Sequence, residues 1–592
     1  ETLRGMIEAQ FDLLEPEDRR VLEAASAVGA ELDAQSVAAA LEAPVEETDA
    51  ILSRLARTHG LLEVTTEREW PDGSVGGRYD FRHVLYRQAL YARLPVSIRR
   101  ETHERIAQRL EAAFGERATE IAAELAHHFE RGGDRPRALG HLLLGAEGGL
   151  ERGGVREASR LLGTAEQVLA RLPASVDRDQ RELTLMNLRA IVLSGIGGYA
   201  AEGLEAVLER CRDLAANLGD DRKLFTALRA LWYLHGKRGE VDPTWGLIDE
   251  LRRLATRLDH LHTVLADISA GMTALWAGDV ATAREALVPV EAEVSSGRLA
   301  EFEGMTDYGV APLIEGLSHL AHALWLLGDP TRAREVRRAA LAAAERLGHP
   351  LTLVVVLGHA VFSSFLCGDT EGADALSRHG LELGAEHGLD EASDLLTLFR
   401  GAALVQAGRT DEGHAMLREG FGRYAATATR LASPMFATVA ASCLQVGEIA
   451  EGLALIERAL DPGRSRLDQM FEAELWRLKG ELLLARGHSG PPAQRTERRR
   501  RTAENIAEAE GCFERALATS QQRRARSLEL RAASSLARLR LERGDLEGAR
   551  DLLVPIVATF ERGLDTPDLR AASHLLQELD RAQATLLVAS RT

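Results

Sequence analysis

Behind Pro16, apolar residues fall at helical spacing from Glu17 to Val28 (Val21, Leu22, Ala25, Val28), and Gly29 closes the run. Asp33 opens a second short amphipathic stretch to Leu41. Val45 to Arg57 makes a third, with Ile51, Leu52 and Leu55 on one face. The period then changes. Leu61 to Thr66 is β-rich, Pro71-Asp72-Gly73-Ser74 through Gly76-Gly77 is turn material, and Arg78 to Phe81 returns as a strand, which predicts a β-hairpin. Two further helices are predicted, from about His83 to Leu94 and from Val96 to Phe114.

From residue 116 onward one signature recurs: a glycine followed five residues later by Ala or Gly, each time after an apolar helical stretch. The clearest pairs are Gly278/Ala283, Gly328/Ala333, Gly368/Ala373, Gly408/Gly413, Gly447/Gly452 and Gly544/Ala549, with weaker ones at Gly133, Gly153 and Gly198. From Gly328 the glycines fall at 328, 368, 408, 447 and 487, a period of 39 or 40. Such regularity predicts an α-solenoid of helix, tight turn, helix units. Seven residues before the turn stands another small residue, at Gly271, Ala321, Gly401, Ala440, Gly480 and Ala537, with Val361 as the exception. A small residue at a fixed site lets two helix axes approach closely, the packing logic of tetratricopeptide hairpins. The spacing from Gly487 to Gly544 is too long, and the Pro/Gly-rich then basic stretch 488–502 is expected to be a loop insertion, with the helix resuming near Ala503. The expected fold class is therefore all-α: a tetratricopeptide-like helical-hairpin superhelix over 116–592. Ahead of it, over 1–115, three helices followed by a hairpin is winged-helix order. The solenoid is expected to be a one-dimensional array in which each repeat touches its neighbours.

Composition agrees with this picture and narrows the chemistry. The chain has 592 residues, 45% hydrophobic and only 5% aromatic, with 17 prolines. Its net charge of −18 disfavours nucleic acid or an anionic membrane as a partner through overall charge. The third helix of the first domain, Val45 to Arg57, sets Arg54 and Arg57 against Glu46, Glu47 and Asp49, poor material for phosphate contacts. Arg498 to Arg501 is a local basic run, expected to be a solvated loop. The four cysteines stand far apart with no CxxC pair, which fits a reducing compartment and no zinc site. No signal segment or run of about 20 apolar residues occurs, so a cytoplasmic location is expected. The opening at Glu1, amid amphipathic sequence, reads as part of something longer.

No phosphate-binding loop, H-E-x-x-H, G-x-S-x-G or kinase set occurs, so no catalytic residue, metal or cofactor is assigned. His127, His128 and His141 are expected to be structural, because adjacent helical residues point about 100° apart. With the turn glycines as register, the positions two, three and six residues before them are expected to face the concave side. They include Tyr233, Met272, Trp276, His322, Trp325, Phe362, Phe365 and Gln406. These read either as a groove for a small-molecule inducer or protein partner, or as core between repeats.

The segments LEPEDRRVLEAASAVG (14–29), DAILSRLARTHGLLE (49–63), YDFRHVLYRQALYARL (79–94) and RRETHERIAQRLE (99–111) resemble the winged-helix region that follows the nucleotide-binding module in STAND-type signal-transduction ATPases. AELAHHFERGGD (123–134) is similar to the beginning of their helical repeats. EAELWRLKGELLLARG (472–487), AEAEGCFERALA (507–518), ARSLELRAASSLARL (525–539) and DTPDLRAA (565–572) resemble the repeat tail of members carrying an N-terminal class III adenylate or guanylate cyclase domain. The resemblance implies a non-catalytic sensor arm: the repeats bind an inducer or partner and the winged helix relays this to an upstream ATPase that controls the output domain. ATP and Mg would then belong to that upstream module alone. FRHVL (81–85) matches the family's motif at the end of the winged helix, which implies an interdomain relay role for Arg82 and His83. Two other readings stay open: a free-standing protein-interaction scaffold, and a ligand-responsive transcriptional regulator with the winged helix on DNA.

Overall fold

The computed structural model describes residues 11–152, 154–198, 201–296, 310–427, 432–461, 467–488, 495–561 and 564–589. The chain forms two compact units, residues 1–195 and 196–592.

In the first unit, α1 (Pro16–Val28) starts on a proline, whose missing N–H costs nothing there, and carries Glu17 and Asp18 in its first turn. The predicted second and third helices are α2 (Ala34–Leu41), capped by the Asp33 carboxylate on the Ser36 N–H, and α3 (Val45–Thr58). The predicted hairpin is β2 (Leu62–Glu69) and β3 (Val75–Phe81), antiparallel, with a bulge between Val64 and Thr66. A short strand, β1 (Glu31–Asp33), pairs with the free edge of β3, giving the order β1-β3-β2. Three residues are too few to show alternation in sequence; the strand exists because β3 offers an edge. Helices α4 (Val84–Arg93) and α5 (Val96–Phe114) follow, then α6 (Ala122–Gly132), α7 (Arg135–Glu151), α8 (Val155–Leu169) and α9 (Val176–Gly197). One hydrophobic core runs from Phe11 through Leu52, Leu90, Phe129 and Leu161 to Val192. The first helical hairpins thus share a core with the N-terminal helices, and the break between compact units falls after residue 195.

The second unit is a series of helical hairpins. Helix α10 (Leu204–Leu218) precedes α11 (Asp221–Arg238) with α12 (Val241–Ala255), then α13 (His260–Trp276) with α14 (Val280–Leu287), which Pro289 separates from α15 (Pro289–Ser295). Next come α16 (Pro312–Leu326) with α17 (Pro330–Leu347), α18 (Pro350–Leu366) with α19 (Thr370–His387), α20 (Asp390–Gln406) with α21 (Thr410–Thr427), and α22 (Ser433–Val446) with α23 (Ile449–Ala459). Helices α24 (Glu472–His488) with α25 (Arg495–Gln522), α26 (Arg526–Glu542) with α27 (Leu546–Val557), and α28 (Pro567–Ala589) complete it. The chain is an all-α, tetratricopeptide-like hairpin array, and among the described residues its one sheet lies in the first unit.

The hairpin turns have a local cause. At Gly278 the backbone takes φ 80°, which an L side chain rarely tolerates; the amide of Asp279 then reaches back to the Ala274 carbonyl at 2.8 Å, and the Asp279 carboxylate caps the next helix on Thr282. The same pairing recurs at Gly328-Asp329, Gly368-Asp369 and Gly544-Asp545. The small residues seven positions earlier sit where axes nearly touch: a Cβ on Gly401 would lie 2.5 Å from the backbone nitrogen of Leu417, and one on Gly480 would lie 2.4 Å from the Phe513 ring. The basic run departs from expectation. Residues 489–494 lie outside the described residues, but α25 already begins at Arg495, so Arg498 to Arg501 are helical. Arg, Glu and Thr without Gly or Pro contain no breaker, and arginine favours helix.

The array of the second unit is not one-dimensional. The turn ends of α13, α16 and α18 meet segments roughly two hundred residues later. The Gln469 amide donates to the Trp276 carbonyl at 2.9 Å, Arg523 Nη1 to the Ala277 carbonyl at 2.8 Å, and Ser527 Oγ to the Trp325 carbonyl at 2.5 Å. These carbonyls end helices and lack partners within them. Distant repeats supply donors to them, the Trp325 carbonyl also accepting from the Gly328 amide at 3.0 Å.

Candidate functional site

The first helices of three consecutive hairpins, α11, α13 and α16, place a connected set of aromatic and titratable side chains side by side, and α18 completes it. Trp232 stacks on Trp276 with ring centroids 5.9 Å apart and donates its indole N–H to Thr273 Oγ1 at 2.9 Å. Gly236 leaves the space into which Trp276 fits, since a Cβ there would lie 2.6 Å from the indole. The Lys237 ammonium lies over the rings of Tyr233, at 5.0 Å, and Trp276, at 5.8 Å. The Tyr233 hydroxyl donates to Glu315 Oε1 at 2.8 Å.

Glu315 sits in the first turn of α16, where the helix dipole favours a carboxylate, yet it is buried. Burial raises its pKa, against the lowering influence of Lys237 and the Tyr233 hydrogen bond. One turn on, His319 Nδ1–H donates to the Glu315 backbone carbonyl at 2.9 Å, and His322 Nε2–H donates to the His359 carbonyl at 3.3 Å. A carbonyl can only accept, so each ring's other nitrogen carries a lone pair. The rings of His319 and His359 are 4.9 Å apart and those of His322 and His359 are 5.3 Å apart. Burial pushes His319 down to about 4 and His322 to about 3, and His359 also falls well below the ordinary value. All three are neutral imidazoles at neutral pH.

The residues expected to face a groove do not all share one environment. Tyr233, Trp276 and His322 belong to this cluster. Met272 is buried core, Trp325 is buried with its ring 6.3 Å from that of Phe471, and buried Phe362 joins the two regions, its ring 5.1 Å from that of His322 and 5.8 Å from that of Phe471. Phe365 is half-buried and Gln406 is exposed. Sequence reasoning passed over Glu315, His319 and His359. A signal existed: His319 and His359 both stand nine residues before a turn glycine, Gly328 and Gly368.

In the first unit, Arg82 and His83 are exposed, and His83 Nδ1 caps α4 by accepting from the Leu85 amide at 3.1 Å. The hairpin tip is pinned to its own unit: Arg109 of α5 donates to Asp72 at 2.8 Å and to Ser74 at 2.9 Å, and its guanidinium lies 4.7 Å from the buried Trp70 ring. The Ser74 hydroxyl, with Arg109 beside it, holds Asp72 at about 2. On α3, Arg54 is committed to the buried Asp18 through bonds of 2.6 and 2.8 Å. His128 bonds His103, Nδ1 to Nδ1 at 2.8 Å, while His141 bonds Glu111 and stacks on Phe129.

No protein-family model and no curated protein matches the chain. Among solved structures, it is similar to a signal transduction ATPase with numerous domains and a tetratricopeptide repeat sensor from Pyrococcus horikoshii, at 10% identity and a TM-score of 0.40, covering 88% of this chain and 67% of that one. It is also similar to a Rap protein complexed with competence and sporulation factor, at 11% identity and a TM-score of 0.38, covering 71% of this chain and 99% of that one.

Proposed function

We propose that the chain is the non-catalytic sensor arm of a cytoplasmic signalling ATPase. In this reading the hairpin array binds a small-molecule inducer or protein partner beside Tyr233, Lys237 and Trp276. Residues 1–115 act as a winged-helix relay, with Arg82 and His83 facing an upstream nucleotide-binding module whose output domain is a nucleotide cyclase. The reading rests on the sequence resemblance at both ends of the chain. The observation that supports a binding role is the half-buried Trp276 under the Lys237 ammonium, an aromatic face and a positive charge side by side. The commitment of Arg54 to Asp18 and of the hairpin tip to Arg109 weighs against duplex DNA as the ligand. No helix among the described residues is long and apolar enough to cross a membrane.

The test is a thermal-shift screen of peptides, sugars and nucleotides on the chain and on its Trp276→Ala variant. A ligand at a hundred times its Kd stabilises by about 2.7 kcal/mol, and the variant is expected to stay folded and lose that shift. ATP hydrolysis by this chain alone would defeat the reading.

A further inference from the structure

Glu315 and His319 stand one turn apart on α16, and His359 stands one repeat later on α18, at the register position of His319. A carboxylate oxygen of Glu315 and one ring nitrogen each from His319 and His359 lie within 4.8 Å of one another. In a tetrahedral site with bonds near 2 Å, ligand atoms are about 3.3 Å apart, so side-chain rotations on a rotamer scale close this set. The surrounding hydrogen bonds already have the form that orients metal ligands. The Glu315 carbonyl takes the Nδ1 proton of His319 and leaves Nε2 with its lone pair, while the Tyr233 hydroxyl steadies the Glu315 carboxylate. The charged groups facing the set are Lys237 and Arg229, both on α11, and a bound dication would take over from them the compensation of Glu315.

We propose that Glu315, His319 and His359 bind one divalent transition-metal ion of the zinc class, with a fourth position left to water. His359 is only partly buried, which gives the ion a way in. The ion ties α16 to α18 directly, and the Tyr233 hydrogen bond extends the tie to α11. The site stands independently of whether the array senses a ligand for an upstream module.

The full chain, stripped with EDTA, is titrated with zinc chloride by calorimetry and with cobalt(II) by visible absorption. The expected result is one zinc per chain, a raised Tm, and the intense visible bands of low-coordinate cobalt. His359→Gln and His319→Gln should each weaken zinc binding at least a hundredfold, with folding checked by circular dichroism. Tyr233→Phe, which keeps the ring and removes only the orienting hydroxyl, should weaken it roughly tenfold, and it decides the matter if the histidine variants unfold. His128→Gln, in the other histidine cluster, should leave binding unchanged. Failure of the folded chain to bind zinc stoichiometrically would overturn the proposal, as would undiminished binding in His359→Gln or, where the histidine variants unfold, in Tyr233→Phe.

Discussion

His103 and His128 share a hydrogen bond inside the first unit, and burial, with neighbouring positive charge, holds them at about 4 and about 3. In the unfolded chain both titrate near 6.5, so below that pH the unfolded state binds more protons than the folded one. Stability is therefore complete above pH 6.5 and falls as the pH drops toward 4. Each histidine should contribute a loss on the order of 2 kcal/mol between pH 7 and pH 5. Urea titrations at the two pH values should show this loss in the wild-type chain and a smaller one in His128→Gln. Single glycines obey an equally local rule. Gly401 has the Leu417 backbone against it and Gly422 has open space. Gly401→Ala is expected to destabilise by about 1–3 kcal/mol, while Gly422→Ala is expected to be neutral or stabilising by up to about 1 kcal/mol, both read from denaturation midpoints.

At the scale of elements, the helices and their turns were largely legible. A glycine at positive φ followed by a capping residue is a local device, so its spacing in the sequence is the spacing of the hairpins. Elements whose existence depends on a partner were not legible. The strand β1 needs the edge of β3, and the helix over Arg495 to Thr502 looked like a loop because its charge and the preceding Pro/Gly stretch outweighed its helix-favouring composition. The candidate site fell between these cases. Tyr233 and Trp276 could be placed by register, whereas the meeting of Glu315 with His359 needs two helices packed in a definite phase.

At the scale of the molecule, the second unit closes on itself. Glu474, buried on α24, is ion-paired with Arg477 and with Arg531 on α26; burial alone would raise its pKa, but the two guanidinium groups hold it at about 2. Arg531 continues to Asp568 on α28 at 2.9 Å, and its guanidinium lies 5.1 Å from the Trp325 ring of α16. A linear array unfolds repeat by repeat, but one whose ends of helices are capped by distant repeats is expected to unfold with those repeats together. Arg523→Ala, which removes the donor to the Ala277 carbonyl and the partner of Glu472, should cost about 2–3 kcal/mol, and hydrogen exchange should rise together around Gly278 and around Gln469. A rise at only one of them would mean that the closure does not couple the repeats. The sequence by itself determined the helices, the turns and the close-packing sites, because each is set by residues within a few positions of one another. Only the tertiary structure decided that Trp325 and Phe362 are covered by Phe471 and that a carboxylate and three imidazoles share one interior. The first depends on contacts more than a hundred residues along the chain and the second on the phase between neighbouring helices, and the spacing within one helix sets neither.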